Sequence, residues 1–191
     1  APPSCGKDEV SKHLKQKYGV HHGEFKEQLF KLTKLIYDVS DDDWDAMYTT
    51  KLKEEPSDLL DGKSPRQALI FVSENVIKPN FDKMYFGRSA AKRLKDGVTV
   101  FSDGGFVEEL IPVVNEADET FVIRIHRPGC SYAGDSRRYL TDPELTHGDS
   151  EVYDFTDIHN DGTLEEFFKA VEDQLKEWGI LENGEQESSS G

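Results

Sequence analysis

Three short apolar runs, VTVFSD at 98–103, TFVIRIH at 120–126 and EVYDF at 151–155, are set among stretches of helical periodicity. Helices alternating with short apolar strands define an α/β chain with a mostly parallel sheet. In such sheets ligands bind beyond the carboxyl ends of the strands. Asp103, Arg127 and Asp157 follow these runs and are expected to share one rim.

The helical stretches carry their own punctuation. Val10, Leu14 and Tyr18 fall on one face of a helix over 7–18, which Gly19 stops. Phe25, Leu29, Leu32, Leu35 and Ile36 mark a second amphipathic helix, after which Ser40 or Asp41 caps another turn. The stretch 49–63 is polar and broken by Pro56 and Gly62, and reads as a loop with a short helical piece. Ser64 as N-cap with Pro65 at the first helical position starts the next helix, and a further one is expected over Asp82 to Leu94. The last helix opens after Asn160-Asp161-Gly162-Thr163 and buries Leu164, Phe167, Phe168, Val171, Leu175 and Trp178. Between the second and third strands lies a polar excursion from Arg127 to Asp149. It is longer than most loops inside a compact domain, and loops of that length are often functional.

At 191 residues the chain fits one domain, expected over 1–181, with an acidic tail at 182–191. Its net charge of −15 repels nucleic-acid phosphates and anionic lipid, and leaves room for a small anion in a focused basic pocket. No run approaches the roughly eighteen apolar residues of a membrane span, and no signal-peptide core stands at the N-terminus. Cys5 and Cys130 have no CxxC spacing and the six histidines no metal spacing, so a reducing cytoplasm is the simplest home.

Four features can carry chemistry. Gly6-Lys7 ahead of a helix partly matches the phosphate-loop pattern G-x-x-x-x-G-K-[ST], with Ala1 in place of the first glycine and Asp8 in place of the hydroxyl. The other reading is a Gly-Lys turn at a helix start. In SDGGF (102–106), Asp103 is placed to orient metal-bound water, or to cap a helix. Arg127, Arg137 and Arg138 suit a closing lid that neutralises a transferring phosphoryl group, or form a solvated patch paired with Asp135 and Asp142. Arg66 and Arg88 are further anion candidates.

Taken in order, SCGKD (4–8), SPRQAL with PNFDKMYFGR, VFSDGGFVEEL, VIRIHRPG and HNDGTLEEFFKAV resemble the bacteriophage deoxynucleoside monophosphate kinases of the P-loop NMP-kinase superfamily. The resemblance covers residues 4 to about 178 and is weakest over 19–63. It implies a three-layer α/β/α P-loop kinase fold with a lid at about 128–149, and an ATP-dependent enzyme that uses Mg²⁺. Ser4, Cys5, Gly6, Lys7 and Asp8 would then hold the ATP phosphates, and Asn160 and Gly162 would border the adenine. Arg66, Arg88 and Asp103 would bind the monophosphate, and Asp8 and Asp103 would serve the metal. Lys7, Asp103, Arg127, Arg137 and Arg138 would act on the transferring group. The resemblance further implies a homodimer at work in the cytoplasm of an infected host.

Two departures stand out. Glu9 stands where the family has a threonine, a negative side chain that repels ATP unless Mg²⁺ or lid arginines compensate, and Gly105 stands where many relatives have an arginine, so that one phosphate contact is missing or supplied elsewhere. A phosphate loop also takes its approach from a preceding strand, so the numbering is expected to begin inside a longer chain. Two other functions fit the same residues. One is a kinase acting on a hydroxymethylated pyrimidine in DNA, which the net charge disfavours. The other is a nucleotide-binding protein with weakened catalysis.

Overall fold

The computed structural model describes residues 1–49, 51–133, 137–145 and 152–181. The acidic tail and parts of the expected lid lie outside these residues. Helix α1 (Lys7–Tyr18) runs between two left-handed glycines, Gly6 at φ 99° and Gly19 at φ 68°. Strand β1 (His21–Gly23) leads into α2 (Lys26–Tyr37), and α3 (Asp41–Met47) follows, its Asp43 N–H donating to the Ser40 hydroxyl at 3.1 Å. A 3₁₀ turn at Asp58–Leu60 supplies the short helical piece expected in 49–63. Helix α4 (Pro65–Phe71) opens on a reciprocal cap, with Gln67 N–H donating to Ser64 Oγ at 3.2 Å and Ser64 N–H to Gln67 Oε1 at 3.0 Å. It passes through a wide turn at Val72–Ile77 into the short α5 (Lys78–Asn80). Then come α6 (Tyr85–Ala91), β2 (Thr99–Phe101), α7 (Val107–Glu116), β3 (Phe121–His126), α8 (Asp142–Leu145), β4 (Asp154–His159) and α9 (Leu164–Glu177).

The chain is thus mixed α/β, and the strand ladders among the described residues are parallel. They form two separate pairs. β1 lies beside β2 from His21↔Thr99 to Gly23↔Phe101, and β3 beside β4 from Phe121↔Asp154 to His126↔His159. A groove of about 980 Å³ is lined by Val100 of β2, Ile123 of β3, Leu14 of α1 and Val171 of α9. The main core packs α1 and α9 onto β3 and β4 through Val10, Leu14, Ile125, Ile158, Phe167, Val171 and Leu175. Each such side chain contributes on the order of 1.5–3 kcal/mol by leaving water.

One carboxylate joins the two helices across this core. Glu172 of α9 accepts from His13 Nε2 at 2.6 Å and from Lys17 Nζ at 2.7 Å. Burial opposes its charge, yet the hydrogen bonds from Lys17 and His13 outweigh burial and hold its pKa at about 2.

The structure corrects the expected pattern in five places. The third expected strand runs on to His159, its six residues Asp154–His159 in register with the six of β3. Asp157 therefore does not follow a strand. It sits inside β4 directly opposite Arg124, and accepts from Arg124 Nε at 3.0 Å and His126 Nε2 at 2.6 Å. In α2, Leu35 and Ile36 face solvent at 78% and 45% exposure, while Thr33 is buried and donates to the Leu29 carbonyl. The packing of Phe30 against Trp44 and Tyr48 accompanies this rotation. Helix α6 begins at Tyr85 rather than Asp82, whose carboxylate instead accepts the Met84 N–H. Leu164, expected in the α9 stripe, is exposed, because it occupies the first helical position. Strand β1 carries no apolar signal and was not foreseen. No helix among the described residues is long and apolar enough to cross a membrane.

Phe167 is 2% exposed and packs between the core and the loop ahead of α1. Phe167→Ala is expected to lower stability by roughly 3–5 kcal/mol, measured as the shift in a urea unfolding curve. A loss under about 1 kcal/mol would mean that α9 is not seated as described.

Candidate functional site

The loop ahead of α1 is shaped by two left-handed residues, Ser4 at φ 63° and Gly6 at φ 99°. A side chain at Gly6 would be strained, and its Cβ would stand 2.7 Å from Asn160 Nδ2 and 3.0 Å from Phe167. The Asn160 amide, buried just after β4, donates to the Cys5 carbonyl at 2.9 Å, and its own N–H donates to the His126 carbonyl at 2.7 Å. The loop is thereby fixed over the carboxyl ends of β3 and β4. Arg127 donates to the Ser4 carbonyl at 3.0 Å, and Lys7 Nζ to the Pro2 carbonyl at 3.3 Å. Gly6 has no side chain to cap α1, so the amides of the first turn carry no side-chain cap from it. Two cations and an uncapped helix start therefore converge on one short loop.

Opposite the loop, Asp103 follows β2 and spans two backbone amides at the start of α2, Phe25 N–H and Lys26 N–H, each at 3.0 Å. The cap expected of Asp103 is real, but it serves α2. Burial pushes its carboxyl above the usual range, against the pull of these amides and of Lys26. Lys26 Nζ pairs with Glu24 Oε1 at 3.0 Å, and Asp103 and Asp8 add more weakly to the negative field around it. Lys26 and Arg66 both influence the Tyr48 phenol, so Arg66 belongs to the same neighbourhood. Its recorded ion pair is with Glu54 at 3.7 Å. Arg88 is paired with Asp82 beside α6.

The excursion after β3 returns Arg137 to this rim. Its side chain lies across Gly105, where an added Cβ would stand 2.7 Å from Arg137 Cδ. The glycine that replaces an arginine thus leaves room for an arginine from another part of the chain. Arg138 turns elsewhere and donates to Glu144 Oε2 at 2.8 Å, with Glu144 also accepting from Thr141. A side chain at Gly162 would collide with Glu166, which reaches back to cap the start of α9.

Glu109 of α7 went unnoticed in the sequence, since two adjacent glutamates at a helix start read as ordinary dipole complements. Its Oε2 is sealed from water and has no hydrogen-bond partner. Burial first, and repulsion from Asp103 second, raise its pKa to about 8.

Beside the loop opens a second cavity of about 400 Å³, lined by Pro2, Arg127, Cys130, Tyr139, His159 and neighbours. Its rings are already stacked. His126 and His159 lie 5.1 Å apart at 24°, and His126 and Tyr139 4.5 Å apart at 32°. Such flat walls suit a planar heterocycle. The stack was hidden in the sequence, because the register of β3 with β4 is what makes the two histidines neighbours. Comparison with protein-family models, curated proteins and solved structures finds no match for this chain. Among the described residues no group of three or more potential metal ligands is gathered.

Unfolded, Glu109 ionises near its ordinary 4.5, whereas folded it keeps its proton up to about 8. The native chain binds more protons across that window, so this group's contribution to stability falls as pH rises through it. Glu109→Gln is expected to flatten that fall, measured by urea unfolding at about pH 5 and about pH 8. An equally steep decline in the variant would place the proton elsewhere. Gly105→Ala is expected to dislodge Arg137 while leaving the core intact, which would appear as weaker binding of inorganic pyrophosphate at an unchanged melting temperature.

Proposed function

We propose that this protein is a nucleotide kinase with a P-loop-type three-layer fold, transferring the ATP γ-phosphoryl group to a deoxynucleoside 5′-monophosphate. The observation that carries the reading is the left-handed Gly6 loop, pinned over the strand ends by Asn160, with Lys7 and Arg127 on it and Arg137 facing it across Gly105. The loop and the first amides of α1 would cradle the β- and γ-phosphates. The stacked cavity at His126, His159 and Tyr139 would take the adenine, a task the sequence assigned to Asn160 and Gly162. On this reading Arg66 and Lys26 face the acceptor phosphate, with Arg88 further out, and Arg138 steadies the lid through Glu144 instead of touching phosphate.

In-line phosphoryl transfer asks mainly for positioning and positive charge. Lys7 and Arg127, now resting on backbone carbonyls, would exchange those contacts for phosphate oxygens. Arg137 would neutralise the equatorial oxygens of the group in flight. Mg²⁺ takes most of its ligands from water and phosphate, so Asp8 would hold it, joined by Asp103 only if that carboxylate gave up an amide of α2. When bound, the ion supplies charge neutralisation between the β- and γ-phosphates. The setting would be the cytoplasm of an infected host, where the enzyme would supply deoxynucleotide for replication.

A second reading keeps the fold and loses turnover. It is favoured by Glu9 in the first turn of α1 and by the occupation of both oxygens of Asp103 by amides of α2. A DNA-borne hydroxymethyl pyrimidine as acceptor is disfavoured by the net charge of −15.

ADP release from Mg·ATP against a panel of deoxynucleoside monophosphates separates these readings. Turnover on one or two acceptors, falling about a hundredfold or more in Lys7→Ala, is the expected result. No turnover on any acceptor, from protein whose melting temperature still rises with ATP, would establish the non-catalytic reading.

A further inference from the structure

The two cysteines, 125 positions apart in sequence, are brought together by the fold. Cys5 is fully buried in the core cluster of α1 and α9, and Cys130 packs against that cluster while lining the 400 Å³ cavity. Cys130 packs against the cluster that holds Cys5, the two thiols are near enough for one to act on the other, and both are free. Each is held by its own backbone. Asn160 grips the Cys5 carbonyl at 2.9 Å, and the turn at Gly129 (φ 78°) closes with Cys130 N–H donating to the Arg127 carbonyl at 3.1 Å. Arg127 in turn donates to the Ser4 carbonyl, so the two segments meet at the backbone as well as at sulfur. The proposed phosphoryl transfer uses neither thiol.

We propose that Cys5 and Cys130 form a peroxide-responsive disulfide site that fastens the segment after β3 to the loop ahead of α1. The geometry assigns the order of events. Cys130 faces a cavity open to small molecules, and Cys5 is sealed behind it. Burial, and then the neighbouring Cys130, push the Cys5 thiol up, which suits the second partner rather than the first. In the first step the Cys130 thiolate attacks one oxygen of hydrogen peroxide. The O–O bond breaks, hydroxide leaves, and Cys130 becomes a sulfenic acid. In the second step the Cys5 sulfur attacks the Cys130 sulfur. An S–S bond forms, the S–O bond breaks, and the hydroxyl leaves with the Cys5 proton as water. The two electrons lost by the thiols reduce the peroxide.

The cross-link would hold Arg127 and the cavity wall rigidly to the phosphate-loop segment. It therefore falls on the part of the chain that must move if Lys7 and Arg127 are to leave their carbonyl partners. The disulfide itself requires no nucleotide, and its test stands apart from that of the kinase reading.

The experiment is intact-mass analysis and tryptic mapping of the whole chain after limited hydrogen peroxide, in folded protein and in urea. The expected result is loss of two hydrogens, a link between the peptides carrying Cys5 and Cys130, and reversal by dithiothreitol. Formation should be about tenfold or more faster folded than unfolded, because the fold supplies the proximity. In Cys5→Ala, dimedone should trap a sulfenic acid at Cys130. Should that variant fail to fold, Cys130→Ser, which alters the half-buried partner, should show no link and no dimedone adduct at Cys5. Two results would overturn the site: oxidation that stops at Cys130 in the wild-type chain while Cys5 stays alkylatable after unfolding, or linkage no faster folded than in urea.

Discussion

The hydrogen bond from the buried Asn160 amide to the Cys5 carbonyl at 2.9 Å is the contact on which the rest of the site depends. Residues 1–6 contain no regular element, and a loop of that kind is held by the partners of its backbone. Asn160 supplies such a partner from the end of β4, and its own N–H is fixed to β3 through the His126 carbonyl. One residue thus ties loop, β3 and β4 into a single unit. Leaving the Cys5 carbonyl without that partner in a buried setting would cost about 1–3 kcal/mol. Gly6 exists in the same frame, since the close approach of Asn160 and Phe167 leaves no room for a side chain there.

The second constraint is the division of the strands. Parallel ladders are normally covered on both faces and seldom stand as pairs. Here α1 and α9 cover β3 and β4, and Glu172 locks the two helices together through Lys17 and His13. The β1–β2 pair is shorter and is held at its end by Asp103, which reaches from the end of β2 to the amides of α2. The groove between the pairs is bridged by side chains, with Val100 and Ile123 both packing onto the main core. The carboxyl ends of both pairs consequently face the same loop, the arrangement in which open α/β sheets place their ligands.

Charge follows this arrangement. A chain of net charge −15 gathers Lys7, Arg127 and Arg137 around one loop, while Lys26, Arg88, Arg124 and Arg138 are matched to Glu24, Asp82, Asp157 and Glu144. Most arginines that look alike in sequence are therefore structural partners of carboxylates. The unpartnered buried oxygen of Glu109 near Asp103 is the opposite case. There burial and the neighbouring Asp103 outweigh the pull of Lys78 and Arg137 and push the carboxyl up.

Helix starts and stops were legible because their signals are local. Gly19, Ser40, the Ser64–Pro65 start and the helix opening at Thr163 each act within four residues, and the structure shows all of them where the sequence places them. The apolar runs of the strands were legible for the same reason, and their parallel sense followed from the alternation of helices and strands along the chain. The sequence by itself determined these elements, the excess negative charge and the glycine loop. Only the tertiary structure decided that Asp157 lies inside a strand, that Arg137 rather than Arg138 crosses Gly105, that His126 stacks on His159, and that Cys5 meets Cys130. Each of these is a pairing across tens of residues, set by strand register and helix packing. Such contacts leave no periodicity in a single chain, because the residues that make them are neighbours only after the backbone has folded.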